Sequence, residues 1–233
     1  MERRLAAVVA ADVVGYSRLI REDEAGTLAT VKAHRENLIE PIVLARNGRI
    51  VKLMGDGLLI EFAGAVEAVR CTVEIQHHIR AENNDVPEDH QVRYRIGINI
   101  GDIVVEDDDI YGDGVNLAAR LEALAEPGGI YMALNVFDQI KDKLDLNIDD
   151  LGMHQVKNIA EPVSVFSLRQ DDKAEALVTP IARVSAPPPA PRRTWMVAAA
   201  AALAVAIGGI AWWQPWWQPW APGSNHPPTT AKL

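Results

Sequence analysis

The sequence predicts an α+β domain, a ferredoxin-like antiparallel sheet with helices packed on it, followed by a C-terminal transmembrane helix. Over residues 1–170, apolar runs alternate with helix-like segments in the order strand, helix, strand, strand, helix, strand, as in a ferredoxin-like core. A tight hairpin signal, Gly55-Asp56-Gly57, joins two of these strands. An uncharged stretch at residues 195–213 has the length of a membrane span.

The first elements are a strand, a helix and a hairpin. Residues 3–14 are mostly apolar and predict a buried strand. Ser17 is expected to cap a helix that ends at the Asn47-Gly48 stop signal. Two short strands on either side of Gly55-Asp56-Gly57 then form the hairpin, because paired turn residues flanked by apolar runs are typical of this connection.

The second half of the domain repeats the strand and helix signals. Its helix after the hairpin places apolar residues near one face, and Pro127-Gly128 stops the next one. The predicted elements are, in order, a helix at 65–83, strands at 92–100 and 103–106, a helix from Asp113, a strand at 130–133, a brief helix and a strand at 163–168.

The chain beyond the domain divides into three parts. Residues 171–194 are a Pro-rich, semi-rigid linker, and residues 214–233 are a short disordered tail. As a helix, residues 195–213 would span about 28 Å, close to the thickness of a bilayer core. Tryptophans at both ends and Arg192-Arg193 before it favour a membrane span whose N-terminal side is cytoplasmic. An Ala-rich soluble helix is the alternative.

Composition excludes some classes of function. The net charge of −9 argues against non-specific nucleic-acid binding, which needs clustered Lys and Arg. It is compatible with a nucleotide substrate, because metal ions can supply positive charge. Cys71 is the single cysteine, so no disulfide framework is possible within the chain.

Two aspartates are candidate metal ligands. Asp12 ends the first apolar strand, and Asp56 lies at the hairpin tip between two glycines. Each is also an ordinary turn or cap residue when considered alone. In a ferredoxin-like core their strands are neighbours, and two carboxylates held together repel unless a cation lies between them. Oxygen ligands favour Mg²⁺ or Mn²⁺.

Three further residues are candidates for substrate contacts. Lys52 interrupts an otherwise apolar strand, which is unfavourable for a buried lysine without a partner. Asn116 and Arg120 are four residues apart, so both leave the same face of one helix. The alternatives are a lysine that faces water and an ordinary surface Asn and Arg.

The order and spacing of these residues resemble those of the class III adenylate and guanylate cyclases over residues 3–168. The similarity is carried by the motifs ADVVGYS, KLMGDGLLIEF and DIYGDGVNLAARLE, and it is close to bacterial cyclase domains. The resemblance implies the class III nucleotide cyclase fold and conversion of ATP to 3′,5′-cyclic AMP and pyrophosphate. With the C-terminal segment, it implies a single-pass protein of the inner, cytoplasmic membrane with its catalytic domain in the cytoplasm.

The resemblance also implies a role for each candidate residue. Two Mg²⁺ or Mn²⁺ ions per site would be held by two aspartates and a backbone carbonyl. Adenine would be read by a lysine and an aspartate, whereas guanylate cyclases carry residues of opposite hydrogen-bonding sense. The implied metal ligands are Asp12, Asp56 and the carbonyl of Val13; the adenine contacts are Lys52 and Asp109; Asn116 would orient the ribose and Arg120 would stabilise charge on the α-phosphate.

Members of this family build the active site between two domains, and this chain has one. The resemblance therefore implies a two-fold homodimer with two equivalent sites. A late lysine often binds the triphosphate, and Lys157 in HQVKNIAEPV is the nearest candidate, although a register two residues later would place Ile159 there. A nucleotide-binding regulatory module without turnover, a guanylate cyclase and a membrane-anchored adaptor are the rival interpretations.

Overall fold

A mixed β-sheet, with helices packed on both of its faces, forms the framework of the molecule. We describe a computed structural model of the chain over residues 2–157, 159 and 161–178. Seven strands lie in the order β2-β3-β1-β4-β6-β8-β7, and a short strand, β5, pairs with β4 alone. The strands are β1 (Glu2–Val13), β2 (Arg49–Met54), β3 (Gly57–Phe62), β4 (Tyr94–Glu106), β5 (Asp109–Tyr111), β6 (Ile130–Ala133), β7 (Ile148–His154) and β8 (Val163–Leu168).

The helices occupy the connections between the strands. The described residues contain α1 (Tyr16–Glu22), α2 (Glu24–His34), a π-helical segment (Arg35–Ile39), α3 (Glu40–Ala45), α4 (Ala65–Asn83), a 3₁₀ turn (Glu88–His90), α5 (Asp113–Leu124), α6 (Leu134–Ile140) and α7 (Asp172–Glu175). This order confirms the prediction of an α+β fold.

Strand β1 lies at the centre of the sheet and is covered on both faces. It pairs antiparallel with β3 on one side and with β4 on the other. Its residues from Ala6 to Ala11 are all buried, which explains the continuous apolar run in the sequence. The alternation of side chains along β1 separates two cores.

The larger core lies on the face covered by α3, α4 and α6, and it includes Ala7 and Val9 of β1. The second core lies on the face covered by α5, where Ala6, Val8 and Ala10 of β1 pack against Ala118. We call this second surface the α5 face. Both cores bury apolar side chains from neighbouring strands, so the ends of β1 and of the β2–β3 hairpin are fixed relative to α5.

The prediction of a wholly antiparallel sheet is wrong at one pair of strands. β4 and β6 are parallel, with Ile96 opposite Ile130 and Ile98 opposite Met132. Parallel neighbours require a crossover connection, and α5 provides it by passing over the sheet between these two strands. The crossover is what places α5 against β1 and β4.

The first helical region is broken, contrary to the single predicted helix. Gly15 precedes α1 in a left-handed conformation with φ of 67°, and Ser17 lies inside α1 without capping it. Asp23 caps α2 instead, since its side chain accepts a hydrogen bond from the Gly26 N–H at 2.9 Å. The π-helical segment precedes Pro41, whose missing N–H and ring interrupt the regular α-helical bonding.

Two further strand predictions need correction. Residues 92–100 and 103–106 are predicted as separate strands, but β4 is continuous from Tyr94 to Glu106 because β1 pairs with it from Tyr94 to Val105. β7 was not predicted. Its residues are half-exposed or exposed, so its sequence lacks the apolar alternation by which strands are recognised.

No helix among the described residues is long and apolar enough to cross a membrane. The predicted span at 195–213, the tail at 214–233 and most of the predicted linker lie outside the described residues.

Candidate active site

Asp12 and Asp56 lie together at one end of the central strands. Asp12 is the penultimate residue of β1, and Asp56 lies in the turn between β2 and β3. β3 is the neighbour of β1, so the hairpin tip comes beside the end of β1. A Cβ atom added to Gly57 would lie 3.3 Å from the Ala11 carbonyl oxygen and 3.5 Å from Asp12 Oδ1. The glycine therefore allows the close approach that brings the two carboxylates together.

The proximity of the two carboxylates changes the proton affinity of one of them. Burial raises the pKa of Asp56 above its usual range, and the charge of Asp12 and a hydrogen bond with it add to this effect. The peptide N–H of Asp56 and the guanidinium of Arg95 oppose it. The pair is thus a site of concentrated negative charge that a cation would stabilise.

Arg95 connects Asp12 to a third carboxylate. Its Nη2 lies 3.0 Å from Asp12 Oδ2 and 3.2 Å from Glu122 Oε1. Arg95 faces Asp12 directly across the β1–β4 pair, and Glu122 comes from the last turn of α5. The pKa of Glu122 is raised to about 7: burial is the main cause, Arg95 opposes it, and the charges of Asp12 and Asp56 add to it.

Sequence reasoning missed both Arg95 and Glu122. Arg95 follows the alternation of β4 between the buried residues Tyr94 and Ile96, so it resembles an ordinary solvent-facing position. The sequence offers no signal for this contact, because the register that places Arg95 opposite Asp12 is a property of the folded sheet.

The donor atoms at this site fit a hard divalent cation. Asp12 and Asp56 contribute carboxylate oxygens, and Val13 contributes a backbone carbonyl one residue beyond Asp12. The described residues include no cluster of three or more His, Cys, Asp or Glu side chains suited to a metal. Two carboxylates are nevertheless the usual protein contribution to Mg²⁺ sites in which substrate phosphates and water complete the shell.

Lys52 and Asp109 form an ion pair on the same face of the sheet. Lys52 Nζ donates to Asp109 Oδ2 at 2.7 Å, and the Ile110 N–H donates to Asp109 Oδ1 at 2.7 Å. The hydrogen bond from Lys52 lowers the pKa of the Asp109 carboxyl. Lys52 Nζ also lies 5.2 Å from the centre of the Tyr111 ring, within cation–π distance.

Register shows that the acidic pair and the Lys52–Asp109 pair share the α5 face. Lys52 lies opposite Leu59 of β3, and Leu59 packs in the core of the α5 face. Asp12 continues the alternation of Ala6, Val8 and Ala10, which also point to this face. The predicted cation ligands and the predicted base-reading groups therefore lie on one surface.

Asn116 and Arg120 lie on α5 but face away from the sheet. Gly114, Ala118 and Leu121 form the buried side of the helix, whereas Asn116 is exposed and Arg120 half-buried. Among the described residues, no hydrogen bond or ion pair connects either side chain to the other predicted site residues. Their direction suits contact with a separate molecule.

Lys157 lies in an exposed turn after β7. The described contacts connect it to none of the other predicted site residues, and Ile159, the alternative position, donates its N–H to the Val156 carbonyl at 3.2 Å. The structure therefore favours neither of the two positions as the triphosphate contact.

Comparison with known proteins assigns the fold to a class. The family described as the adenylate and guanylate cyclase catalytic domain matches residues 3–170. The chain is 45% identical over 174 residues to putative adenylate cyclase 3 of Rhizobium meliloti, which covers 75% of this chain and 30% of that protein. The chain thus spans about a third of the length of that relative.

Solved structures agree with the sequence match. The crystal structure of an adenylate/guanylate cyclase/hydrolase from Silicibacter pomeroyi superposes with a TM-score of 0.67 at 46% identity, covering 72% of this chain and 98% of the other. The adenylyl cyclase CyaB from P. aeruginosa gives 0.62 at 27% identity, covering 73% and 97%. This chain belongs to the adenylate and guanylate cyclase catalytic domain family.

Proposed function

We propose that this chain is an adenylate cyclase that converts ATP to 3′,5′-cyclic AMP and pyrophosphate. The observation that carries the proposal is the presence, on one face of the sheet, of an acidic pair and a Lys–Asp pair. The acidic pair, Asp12 and Asp56, supplies cation ligands, and the second pair, Lys52 and Asp109, offers one donor and one acceptor. The names of the relatives support a cyclase, and the chemistry of the Lys–Asp pair supports ATP as its substrate.

Adenine presents an exocyclic amine donor beside a ring-nitrogen acceptor. The Lys52 ammonium can donate to that nitrogen while Asp109 accepts from the amine. Guanine carries a carbonyl and an N–H on the same edge, so both groups would be mismatched. Leaving both groups unpaired once the base covers them would correspond to about tenfold to hundredfold discrimination in favour of ATP.

The reaction is an intramolecular phosphoryl transfer. The ribose 3′-oxygen forms a bond to the α-phosphorus, the bond from that phosphorus to the bridging oxygen of pyrophosphate breaks, and the 3′-hydroxyl proton is released to solvent. Divalent cations held by Asp12, Asp56 and the Val13 carbonyl would supply activation of the hydroxyl and charge stabilisation of the leaving phosphates. Arg95, whose guanidinium lies 3.0 Å from Asp12, would offset part of the negative charge of the cation ligands.

We infer that the active site is completed by a second copy of the chain. Asn116 and Arg120 face outward from α5, so they would reach a nucleotide held on the α5 face of a partner. In that arrangement Asn116 orients the ribose, and Arg120 stabilises the charge that develops on the α-phosphate. A two-fold dimer would contain two such sites.

We also propose that residues 195–213 anchor the chain in the cytoplasmic membrane, with the catalytic domain on the cytoplasmic side. The uncharged stretch, its terminal tryptophans and the preceding arginines support this topology. In cell fractionation, the full chain should sediment with membranes after a high-salt wash, whereas recovery in the supernatant would contradict the anchor.

Turnover of ATP by the purified full chain tests the proposed function. With Mn²⁺ the wild type should form cyclic AMP and, at equal concentration, use ATP at least tenfold better than GTP. Asp56→Asn should lower kcat by more than about a hundredfold, because it removes a cation ligand and the charge that holds it. Asp138→Asn, which alters an exposed ion pair of α6, serves as the control and should stay active.

Three results would contradict the proposal. A folded wild type that binds ATP without product would indicate a regulatory module. Preference for GTP would indicate a guanylate cyclase. Equal activity of wild type and Asp56→Asn would remove the acidic pair from the mechanism.

A further inference from the structure

Glu61 is a buried carboxylate that the proposed reaction does not use. It lies on β3, opposite Val8 of β1 and Arg49 of β2, and only 4% of its side chain is exposed. Two arginines neutralise it: Arg4 Nη2 lies 2.6 Å from Oε1 and Arg49 Nη2 lies 2.9 Å from Oε2. A buried carboxylate without such partners would be strongly unfavourable. The two ion pairs are therefore maintained in the folded protein, and through them Glu61 fixes the positions of both guanidinium groups.

Arg49 also makes a hydrogen bond to a residue other than Glu61, through its other terminal nitrogen. Its Nη1 donates to the backbone carbonyl of Asp108 at 2.8 Å. Asp108 belongs to the turn between β4 and β5, where Glu106 pairs with Asp109. Arg49 therefore ties this turn to β2, although β5 pairs only with β4 and has no backbone pairing with β2.

The turn needs such support because its backbone is unfavourable for its residues. Asp107 and Asp108 both adopt positive φ, 49° and 67°. Two-residue hairpin turns with positive φ at both positions favour Asn-Gly or Asp-Gly, since side chains other than glycine are strained there. A hydrogen bond from a fixed arginine to the second residue stabilises this conformation.

The conformation of the β4–β5 turn determines where Asp109 lies. Asp109 follows Asp108 directly, and its Oδ2 meets Lys52 Nζ at 2.7 Å. Arg49 and Lys52 are both on β2. Two side chains of one strand therefore hold two consecutive residues, Asp108 and Asp109, of the β4–β5 hairpin. Without the Arg49 bond, Lys52 would be the remaining side chain of β2 that holds Asp109, and Lys52 is also the group proposed to bind the base.

We propose that Arg49, held by Glu61, is a positioning residue that fixes Asp109 against Lys52 and thereby sets the selectivity for adenine over guanine. The inference rests on the proposed function, because it concerns the base-reading pair of that same site. Arg49 need not touch the nucleotide. It acts through the Asp108 carbonyl, and its removal should affect base recognition more than the chemical step.

Steady-state kinetics of Arg49→Ala with Mn²⁺ test this role. We expect the KM for ATP to rise about tenfold and the ATP-to-GTP preference in kcat/KM to fall about tenfold, while kcat at saturating ATP changes less than about threefold. This split follows because the acidic pair and Arg120 are untouched. An unchanged KM and an unchanged preference in a folded variant would overturn the proposal.

Two variants separate positioning from the loss of a partner for Glu61. Arg4→Ala also leaves Glu61 with one arginine, but it keeps the bond from Arg49 to the Asp108 carbonyl, so selectivity should remain near wild type. Arg49→Ala combined with Glu61→Gln also removes the Glu61 charge but does not restore that bond, so selectivity should stay as low as in Arg49→Ala. Equal loss of selectivity in Arg4→Ala, or its recovery in the double variant, would contradict a positioning role.

Hydrogen exchange gives a readout that does not need turnover. The amides of β5 at residues 109–111 should exchange faster in Arg49→Ala than in the wild type or Arg4→Ala. The reason is that the β4–β5 hairpin has lost the hydrogen bond that connects it to β2. If the wild type turned over neither nucleotide, the proposed function would fail. The ratio of ATP to GTP binding constants in the same three proteins would still decide the positioning role, and equal ratios would reject it.

Discussion

At the scale of single residues, charge arrangement dominates the candidate site. Three carboxylates, from Asp12, Asp56 and Glu122, gather around one guanidinium, Arg95. The group therefore carries more negative than positive charge without a bound cation. Such an excess is unfavourable for folding but favourable for binding a divalent ion, so stability and function should respond to it in opposite directions.

The pH dependence of stability should reveal this excess through Glu122. Its pKa is raised to about 7 in the folded chain by burial, against an ordinary value near 4.5. A carboxyl group with a raised folded pKa binds its proton more tightly when folded, so its contribution to stability decreases as pH rises from about 4.5 to 7. Glu122→Gln should remove this contribution, leaving the metal-free variant more stable relative to wild type at pH 8 than at pH 5, by on the order of 2 kcal/mol.

Denaturant unfolding of both proteins at pH 5 and pH 8, in the presence of a chelator, measures the difference. Glu161→Gln is a suitable control because Glu161 is exposed. Adding Mn²⁺ at pH 8 should reduce the advantage of the Gln variant, since a cation at Asp12 and Asp56 offsets the repulsion that Glu122 experiences. A difference independent of pH would contradict the raised pKa.

At the residue scale, the sequence allowed a correct prediction where the place of a residue in a strand or turn determines its position in the fold. The strand end at Asp12 and the hairpin tip at Asp56 bring the two side chains together because β1 and β3 are neighbours. Arg95 and Glu122 could not be predicted in the same way, because their meeting depends on the β1–β4 register and on the path of α5. Both are properties of the packed sheet rather than of local sequence.

At the scale of elements, α5 is the helix on which the site depends. It packs so closely on β4 that a Cβ atom at Gly97 would lie 2.2 Å from the Ala118 carbonyl oxygen and 2.2 Å from the Glu122 nitrogen. Both neighbours are backbone atoms of a helix and cannot move independently. Gly97 is therefore required for the position of α5, and with it the position of Arg120.

Gly97→Ala should displace α5 and destabilise the domain by about 1–3 kcal/mol, the range for overpacking a tight contact. Activity should fall further than stability alone explains, because Glu122 and Arg120 move with the helix. Gly64→Ser is the matched control: nothing lies within 4 Å of a Cβ atom there, and serine is favoured at the helix start that Gly64 occupies. Thermal unfolding and ATP turnover measure both effects, and wild-type values for Gly97→Ala would contradict the close contact.

Sequence periodicity identified most elements but not the direction of one strand. β6 reads as a short apolar strand whether it runs parallel or antiparallel to β4, so Ile130–Ala133 gave no indication of its orientation. β7 escaped prediction for a different reason, because its residues are mostly exposed and its pairing with β8 contributes little apolar burial. Strand direction and edge strands are decided by packing partners distant in sequence.

At the scale of the whole molecule, the site residues divide into two sets. Asp12 and Asp56 are joined to each other, and Lys52 is joined to Asp109, whereas Arg120 faces away from the sheet. A single copy does not bring Arg120 to the acidic pair through any described contact. A dimer in which each copy donates Arg120 to the acidic pair of the other would resolve this separation.

Mixing two inactive variants tests that arrangement. Asp56→Ala retains Arg120, and Arg120→Ala retains Asp56, so a heterodimer of the two contains one intact site and one doubly defective site. Random pairing of equal amounts makes half of the dimers heterodimers. The mixture should therefore regain about one quarter of wild-type activity per chain, from two equivalent sites in a two-fold dimer.

The size of the recovery distinguishes shared sites from self-contained ones. If each copy held a complete site, both variants would stay inactive in every combination, and the mixture would show no recovery although heterodimers form. Differently tagged chains, co-purified to prove heterodimer formation, supply the control. The productive site takes its arginine from the Asp56→Ala chain, so its activity does not depend on residue 120 of the other copy. Arg120→Lys mixed with Asp56→Ala should therefore recover at least as much activity as Arg120→Ala mixed with Asp56→Ala. A smaller recovery would indicate that lysine at position 120 disrupts dimer formation.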